Sequence, residues 1–375
     1  MNFFDIKIRF IPFKEIEFVI LGKTNSHYIE DCLKLIPNIE YQIVDTRFKN
    51  IYLFIFFSKK FYIYLFKIRK LKLAYYASIL SIIKPKKVIT FIDNNPIFYE
   101  LSLIVKNSKF FSIQNGNHFF CTDKIKGNIE RYSNCYYNLP INNYPVTYLS
   151  ISDFEYENIN NKCNFKFKEI IPVGSLACAC RYYSKENISI PLKPEFDIGI
   201  IGTGVFKKTK LGVDDSLFFS YIREILKIQN KLKICYISKF RKKSKNADLE
   251  KAYINKFFSG QLVYLYKDPK IDNLELSSNC NILISTISTL LREAFSMGTK
   301  IISLNTLPFS HSLVYEKISF KSFPNFNEFS KEINHLMNIS RKEYFEKFDL
   351  KDIEYNSLNG KTAIQNIAKI LEDNR

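Results

Sequence analysis

The 375-residue chain has no tryptophan, four histidines, 11 glycines and 12 prolines. So little glycine and proline excludes collagen-like and linker-like chains. The eight cysteines include no Cys-x-x-Cys pair, and with so few histidines they are poor material for a zinc site. We therefore expect no metal ion and no resident cofactor, and we interpret the cysteines as reduced thiols of a cytoplasmic protein.

Acidic residues are scarce as well: 37 acidic residues against 55 basic ones leave a formal net charge of +18. A field of this sign attracts nucleic acid, anionic lipid or phosphorylated small molecules. Between Thr46 and Ile92 there is no acidic residue at all, whereas the same stretch carries eleven basic ones among Phe, Tyr, Ile and Leu. This stretch is called the basic region 46–92 below.

The basic region 46–92 fits an anionic membrane surface. Its aromatic rings would also suit nucleic acid, whose bases stack on such rings. The structural alternative is an ordinary amphipathic helix with a solvated lysine face. A membrane span is not expected, because Lys59 and Lys60 interrupt the apolar stretch 51–66. Charged residues also interrupt the first apolar residues of the chain, so we expect no signal peptide.

Short apolar strands alternate with helical patterns along both halves of the chain, which predicts parallel α/β sheets. We expect a long basic helix within 59–83 and a helix that begins at Pro96 with Asn95 as its cap. A helix over 215–229 shows a 3.6-residue apolar period, and Asp248 is expected to cap the next one. The predicted strands of the two halves lie at 17–21, 41–44, 87–92, 110–114, 147–150, 169–173, 196–201, 232–238, 262–266, 281–284 and 300–304.

Two domains follow from this layout. The first is expected over 1–175, where Gly174 and Ser175 close a strand, and the second over 196–358. The connection 176–195 has little periodicity and carries two prolines, as linkers do. We expect a final helix within 359–375 that packs back on the first domain.

The most specific pattern is a hydroxyl-rich turn after the predicted strand 281–284. Such a turn opens a helix, whose N–H groups and positive dipole end suit a phosphate. The candidate phosphate-binding residues here are Ser285, Thr286, Ser288 and Thr289. Glu293, one helical turn further on, could accept a hydrogen bond from a ribose or sugar hydroxyl. A capping box is the structural alternative, but its spacing is three residues and here it is four.

Two further groups follow neighbouring predicted strands of the second half. Gly202, Thr203 and Gly204 would let the backbone approach a phosphate or sugar, although a tight turn is the default interpretation. The full G-x-G-x-x-G dinucleotide pattern is absent, since position 207 is lysine. Lys239 and Arg241 emerge first from the next strand and could neutralise a diphosphate leaving group.

Two predicted strands of the first half are followed by polar residues that could face one ligand. Asp93 follows the predicted strand 87–92, and Gln114, Asn115 and Gly116 follow the next one. Asp93 or His118 could act as a general base, and Gln114–Gly116 could contact the same ligand. An Asx turn at Asp93 and a surface loop at His118 are the structural alternatives.

These motifs resemble the GT-B glycosyltransferases. ILIST followed by STLLREAFSMGTKIISLN looks like the donor-binding segment of that superfamily, and the resemblance implies that Glu293, Ala294 and Gly298 lie beside the donor sugar or ribose. ITFIDNN and FFSIQNGNHF look like bacterial capsule and O-antigen biosynthesis proteins. The resemblance implies an α/β fold of two Rossmann-like domains facing a central cleft. The usual glycine-rich loop of the first domain is replaced here by residues 22–27.

The resemblance implies a metal-independent glycosyltransferase that takes a nucleotide sugar as donor and a surface polysaccharide or lipid-linked glycan as acceptor. Its expected place is the cytoplasmic face of the plasma membrane, held there by the basic region 46–92. A CDP-polyol phosphotransferase of the teichoic-acid type is the alternative, with His118 and His311 as its candidate histidines. A sugar-nucleotide epimerase is a third possibility. A nucleic-acid-binding protein ranks low and no nucleic-acid partner is expected, because no recognised module is present.

Overall fold

The structure is a computed structural model. It describes residues 7–9, 14–47, 50–116, 143–162, 165–180, 194–202, 215–267, 273–286, 288–305, 319–320, 323–348 and 362–373. The chain divides into two compact units. Unit 1 takes its described residues from 1–116, 136–180 and 360–375, and unit 2 takes its described residues from 181–359.

Unit 1 is built on a six-stranded parallel sheet with the order β3-β2-β5-β6-β7-β8. Strands β2, β5 and β6 are buried along almost their whole length, which is why they are rich in apolar residues rather than alternating. The strands are β2 (Phe18–Leu21), β3 (Tyr41–Val44), β5 (Lys87–Thr90), β6 (Lys109–Ile113), β7 (Asn143–Ser150) and β8 (Lys166–Pro172). A separate parallel pair joins β1 (Lys7–Arg9) to β4 (Asn50–Tyr52).

The helices of unit 1 cover this sheet. They are α1 (Ser26–Leu33), a 3-10 helix (Leu53–Phe57), α2 (Lys59–Ile68), α3 (Leu71–Ile83), α4 (Pro96–Ile104), α5 (Asp153–Lys162), a single turn (Leu176–Cys178) and α12 (Ala363–Asp373). The predicted start of α4 is confirmed, because the Asn95 side chain accepts the Ile97 N–H at 3.2 Å. The prediction of one long helix within 59–83 is wrong, because Arg69 adopts a left-handed conformation with φ 57° that ends α2.

Unit 2 is also built on a six-stranded parallel sheet, with the order β11-β10-β9-β12-β13-β14. The strands are β9 (Phe196–Ile201), β10 (Ile234–Arg241), β11 (Val263–Lys267), β12 (Cys280–Ser285), β13 (Lys300–Leu304) and β14 (Ser319–Phe320). The helices are α6 (Ser216–Ile228), α7 (Lys245–Phe258), α8 (Asn273–Ser278), α9 (Thr289–Ser296), α10 (Phe326–Asn338) and α11 (Arg341–Glu346). The prediction that Asp248 caps α7 is wrong, since the Ser244 hydroxyl accepts the Ala247 N–H at 3.1 Å and α7 begins at Lys245.

The order of unit 2 is that of a Rossmann-like sheet, in which the chain builds outward from β9 in one direction and then from β12 in the other. These two central strands pack very closely: a Cβ atom on Gly199 would lie 2.5 Å from Cys280 Sγ. The expectation of an α/β fold with two Rossmann-like parallel sheets is confirmed.

A buried lysine ties a helix to the sheet in each unit. In unit 1, Lys87 Nζ donates to the Leu371 carbonyl of α12. Apolar side chains of α12 fill the core of unit 1 around Phe18 and Ile89. In unit 2, Lys300 Nζ donates to the carbonyls of Leu336 at 2.5 Å and Ile339 at 2.8 Å, so it satisfies carbonyls at the end of α10. Burial lowers the pKa of Lys300 to about 8.

Replacing Lys300 with methionine is expected to change how stability depends on pH. Unfolding returns the Lys300 pKa to 10.5, so between about pH 8 and about pH 10 the unfolded chain binds more protons at this group than the folded chain. The free energy of unfolding of the unchanged protein should therefore rise, relative to that of Lys300→Met, as the pH increases through this window. Urea unfolding at about pH 7.5 and about pH 9.5 measures the difference.

Lys256→Met removes an exposed lysine of α7 and is the matched control for the loss of one positive charge. If the difference between the unchanged protein and Lys300→Met is the same at both pH values, the buried amine does not titrate in this window.

Candidate functional site

The candidate site of unit 2 lies where β9 and β12 end side by side. In an open α/β sheet, ligands bind at the carboxyl ends of the two strands from which the chain turns in opposite directions. Gly202 follows β9, and Ser285 and Thr286 close β12. Three of the residues predicted from the sequence are thus brought together at the switch point of the sheet.

The hydroxyl groups of Ser285 and Thr286 hold this edge together. Ser285 Oγ donates to the Ile201 carbonyl at 3.4 Å, and Thr286 Oγ1 donates to Asp215 Oδ1 at 3.3 Å. Asp215 is the N-cap residue of α6, but its side chain does not cap that helix. Both residues are buried, and their bonds join the end of β12 to the end of β9 and to the start of α6.

The turn then opens α9, as the sequence predicts. Ser288 is the N-cap residue, not Thr289, and its side chain accepts no hydrogen bond from the helix. The capping box that the sequence left open as an alternative is therefore not formed. Ser288 and Thr289 are both half-buried, and the positive end of the α9 dipole lies at this edge of the sheet.

Glu293 lies one turn into α9. Its side chain is buried, together with that of the neighbouring Arg292. The Glu293 backbone carbonyl accepts from the Ser296 hydroxyl at 2.7 Å and from the Met297 N–H at 3.2 Å. The Glu293 side chain thus lies in the interior of unit 2, on the helix that begins at the switch point.

Lys239 and Arg241 lie at the end of β10, the strand next to β9. Both side chains are exposed, whereas Phe240 between them is half-buried. The pairing of β10 with β11 shifts register between Ile237 and Arg241, so this end of the strand departs from the regular ladder. Two exposed cations thus lie at the same edge as the turn after β12.

Glu250 is a buried carboxylate at this edge that the sequence analysis missed. Its carboxylate accepts hydrogen bonds from Tyr236 Oη at 3.0 Å and from the Ser238 hydroxyl. Burial raises the pKa of Glu250, while these hydrogen bonds and the charge of Lys239 oppose the shift. The signal was present in the sequence, since Glu250 shares the buried face of α7 with Ala247, Ile254 and Phe258 at helical spacing.

The Tyr236–Glu250 pair explains why position 202 is glycine. A Cβ atom there would lie 2.6 Å from Tyr236 Oη and 3.0 Å from Glu250 Oε1. Position 202 therefore has no space for a side chain, which is a packing reason in addition to the predicted approach of a ligand.

In unit 1, Asp93 lies just beyond β5 with its side chain buried. Tyr148 Oη donates to Asp93 Oδ2 at 2.9 Å, and Tyr99 Oη donates to the Asp93 carbonyl at 2.6 Å. The Asp93 carboxylate is thus oriented by a phenol from β7, two strands away in the sheet.

Gln114 follows β6 and links neighbouring strand ends. Its Oε1 accepts the Ile151 N–H at 2.9 Å, and its Nε2 donates to the Gly116 carbonyl at 2.8 Å. Asn115 is exposed and Gly116 is half-buried. Asp93 and Gln114–Gly116 therefore share the carboxyl edge of the unit 1 sheet, because β5 and β6 are parallel neighbours.

Some predicted residues lie outside the described part of the chain: Thr203, Gly204, His118 and His311. Within the described ranges, no group of three or more His, Cys, Asp and Glu residues is arranged to hold a metal ion. Over those same ranges, no helix combines the length and the apolar character that crossing a bilayer requires.

No protein-family model matches the chain, and no curated protein matches it by sequence. Solved structures do match its fold. UDP-GlcNAc 2-epimerase from Neisseria meningitidis bound to UDP-GlcNAc matches with a TM-score of 0.57 and 13% identity, covering 98% of this chain and 100% of that one. A glycosyltransferase from Rickettsia africae matches with a TM-score of 0.53 and 11% identity, covering 96% and 98%.

The wall teichoic acid polymerase TagF, in a structure with CDPG, matches with a TM-score of 0.52 and 11% identity, covering 96% of this chain and 89% of that one. Matches that span nearly whole chains at such low identity establish the fold alone. The chain has a GT-B-like fold of two units, each built on a Rossmann-like parallel sheet, as the resemblance implied.

The close packing around Gly202 can be tested by a double-mutant cycle. Gly202→Ala is expected to lower the free energy of unfolding by about 1–3 kcal/mol, because the added methyl group enters a filled space. Tyr236→Phe removes the nearest atom, so the double variant should lose less stability than the sum of the two single variants. Denaturant unfolding of the four proteins measures this coupling.

Tyr221→Phe, on the neighbouring helix α6, serves as the control partner for Gly202→Ala, and that pair should be additive. Equal additivity for Tyr236→Phe would show that Gly202 does not pack against the tyrosine.

Proposed function

We propose that the protein is a glycosyltransferase that moves a sugar from a nucleotide-activated donor to a growing surface polysaccharide or lipid-linked glycan. The observation that carries the proposal is the switch point of unit 2, where the hydroxyl-rich turn, the N-terminus of α9 and two exposed cations share one edge. That combination suits a nucleoside diphosphate. The fold supports it, since a solved structure with this fold contains UDP-GlcNAc.

In this proposal, unit 2 binds the donor. Its diphosphate lies against the turn 285–289, where the dipole of α9 favours negative charge. Lys239 and Arg241 neutralise the charge that develops on the leaving diphosphate, a task that the proposal assigns to these side chains rather than to a metal ion. Glu293 accepts a hydrogen bond from a ribose or sugar hydroxyl, and residues 202–204 allow the backbone to approach the ligand.

Unit 1 takes the acceptor in the same proposal. Asp93 or His118 removes the proton from the acceptor hydroxyl, and Gln114–Gly116 position the acceptor. The hydrogen bond from Tyr148 to Asp93 supports a positioned carboxylate rather than a mobile one. A glycan or glycolipid acceptor of capsule or lipopolysaccharide type would place the enzyme at the cytoplasmic face of the plasma membrane.

Two other reactions are compatible with this donor site. The fold match to TagF favours a CDP-polyol phosphotransferase, and the match to UDP-GlcNAc 2-epimerase favours an epimerase. An epimerase needs no acceptor, so incubation with the nucleotide sugar alone separates it from a transferase. A new nucleotide-sugar epimer formed without acceptor would replace the transferase proposal, and transfer from CDP-glycerol or CDP-ribitol would establish the phosphotransferase.

The donor site can be tested by thermal shift with UDP, GDP, CMP, CDP and their sugar or polyol conjugates. A ligand present at about 100 times its Kd stabilises the folded state by about 2.7 kcal/mol, which corresponds to a rise in Tm of about 3 °C for a chain of 375 residues. One nucleotide class should give this shift. Lys239→Ala and Glu293→Gln should reduce it, because each removes a group assigned to the donor.

Lys256→Ala is the control, since it removes an exposed lysine from the far end of α7. The proposal fails if no nucleotide shifts the Tm of the folded protein, or if the shift is the same in Lys239→Ala and Lys256→Ala. Salt-sensitive binding to random DNA in the absence of any nucleotide shift would favour a nucleic-acid-binding protein instead.

A further inference from the structure

Residues 57–71 of unit 1 expose an unusual amount of apolar surface. Five of the eleven large hydrophobic side chains that are exposed in the described part of the chain fall in this short stretch. They are Phe57 (84% exposed), Tyr62 (48%), Ile63 (53%), Phe66 (79%) and Leu71 (58%). Apolar side chains grouped in this way mark an interaction surface, whereas single exposed ones do not.

Helix α2 is apolar on both of its sides. Phe61 is buried against the unit, in edge-to-face contact with Phe56 at 5.1 Å between ring centroids. Ile63 and Phe66 are three residues apart and therefore share the opposite, outward side. Because α2 also carries three lysines, its outward side combines exposed apolar side chains with cations, a composition typical of helices that lie at an interface.

The charges around this surface have one sign. Lys59, Lys67 and Arg69 are exposed, and no acidic residue among the described ones pairs with them. Lys70 differs, because its Nζ lies 2.7 Å from Glu100 Oε2. The whole basic region 46–92 contains no acidic residue. The surface therefore attracts an anionic partner and repels a second copy of itself.

A bilayer with anionic headgroups matches both properties. A helix of ten residues is about 15 Å long and cannot cross a hydrocarbon core of about 30 Å. It can lie in the headgroup region, with aromatic and aliphatic side chains inserted and with lysine and arginine side chains reaching the phosphates.

We propose that residues 57–71 form a docking surface for the cytoplasmic, anionic leaflet of a membrane. Phe57, Ile63 and Phe66 enter the interface between headgroups and acyl chains, while Lys59, Lys67 and Arg69 bind lipid phosphates. Residues 57–71 would thus be the part of the protein that contacts the membrane in the proposed location. The proposal does not depend on which nucleotide unit 2 binds or which reaction it catalyses.

The test is flotation of the full chain with vesicles of phosphatidylcholine alone and of phosphatidylcholine with about 30% phosphatidylglycerol. Binding is expected only with the anionic vesicles and should weaken as salt increases. Phe57→Ser with Phe66→Ser removes the inserted rings, and Lys67→Glu with Arg69→Glu reverses two charges. Each pair should weaken binding about 20-fold or more.

Ile228→Ser with Lys227→Glu is the matched control, because it changes one exposed apolar and one exposed basic residue on α6 of unit 2. It should bind vesicles as the unchanged protein does. The nucleotide thermal shift is measured on every variant. Retained nucleotide binding with lost vesicle binding supports the docking surface, while vesicle binding without any nucleotide shift contradicts only the proposed transferase.

Three results would overturn the docking surface. One is equal binding to neutral and anionic vesicles, and another is vesicle binding that neither double variant weakens. The third is self-association in solution, measured by light scattering, that Phe57→Ser with Phe66→Ser abolishes, since the surface would then join two copies of the chain.

Discussion

The candidate donor site depends on the pairing of β9 with β12. Gly199 of β9 leaves space that the side chains of Cys280 and Leu283 on β12 fill, so the two strands pack without a void or a clash at this point. Their parallel pairing brings the ends of both strands to one edge, so that Gly202 and Ser285 become neighbours although they are far apart in sequence. If the register of this pair were shifted, Gly202 and Ser285 would no longer be neighbours.

Several buried polar residues at the strand ends are hydrogen-bonded to a neighbouring strand or helix. Ser285 and Thr286 reach back to β9 and to Asp215, and in unit 1 Gln114 joins the ends of β6 and β7. Buried polar groups require such partners. At the candidate site of unit 2, these buried and bonded hydroxyl groups contrast with the side chains of Lys239 and Arg241, which are exposed.

The sequence predicted strands and helix starts where these depend only on residues close together in the chain. The strands are continuous apolar runs, and Asn95 with Pro96 marks a helix start by its own chemistry. The sequence could not show that Arg69 would take a left-handed conformation and divide the basic helix, because a left-handed arginine is uncommon and its location depends on how α2 and α3 pack. Ser244 rather than Asp248 caps α7 for a similar reason, since both residue types cap well and the chain path decides between them.

The candidate site was predictable in its location and less so in its contacts. Strand ends in an α/β sheet are known binding positions, so the turn after β12 and Asp93 could be singled out from spacing alone. The bonds of Asp93 to Tyr148 and of Tyr236 to Glu250 join residues 55 and 14 positions apart. Such pairs depend on which strands become neighbours, and that information is not contained in any short stretch of sequence.

Because of helix α12, the core of unit 1 depends on residues that are synthesised after unit 2. Its residues 363–373 leave the ribosome after all of unit 2, yet Ile367 and Leu371 belong to the core of unit 1, and Lys87 binds the Leu371 carbonyl. Unit 1, although its sheet is synthesised first, cannot complete its core until α12 has also been synthesised. The basic, aromatic surface of unit 1 therefore belongs to a domain whose core depends on a segment made after unit 2.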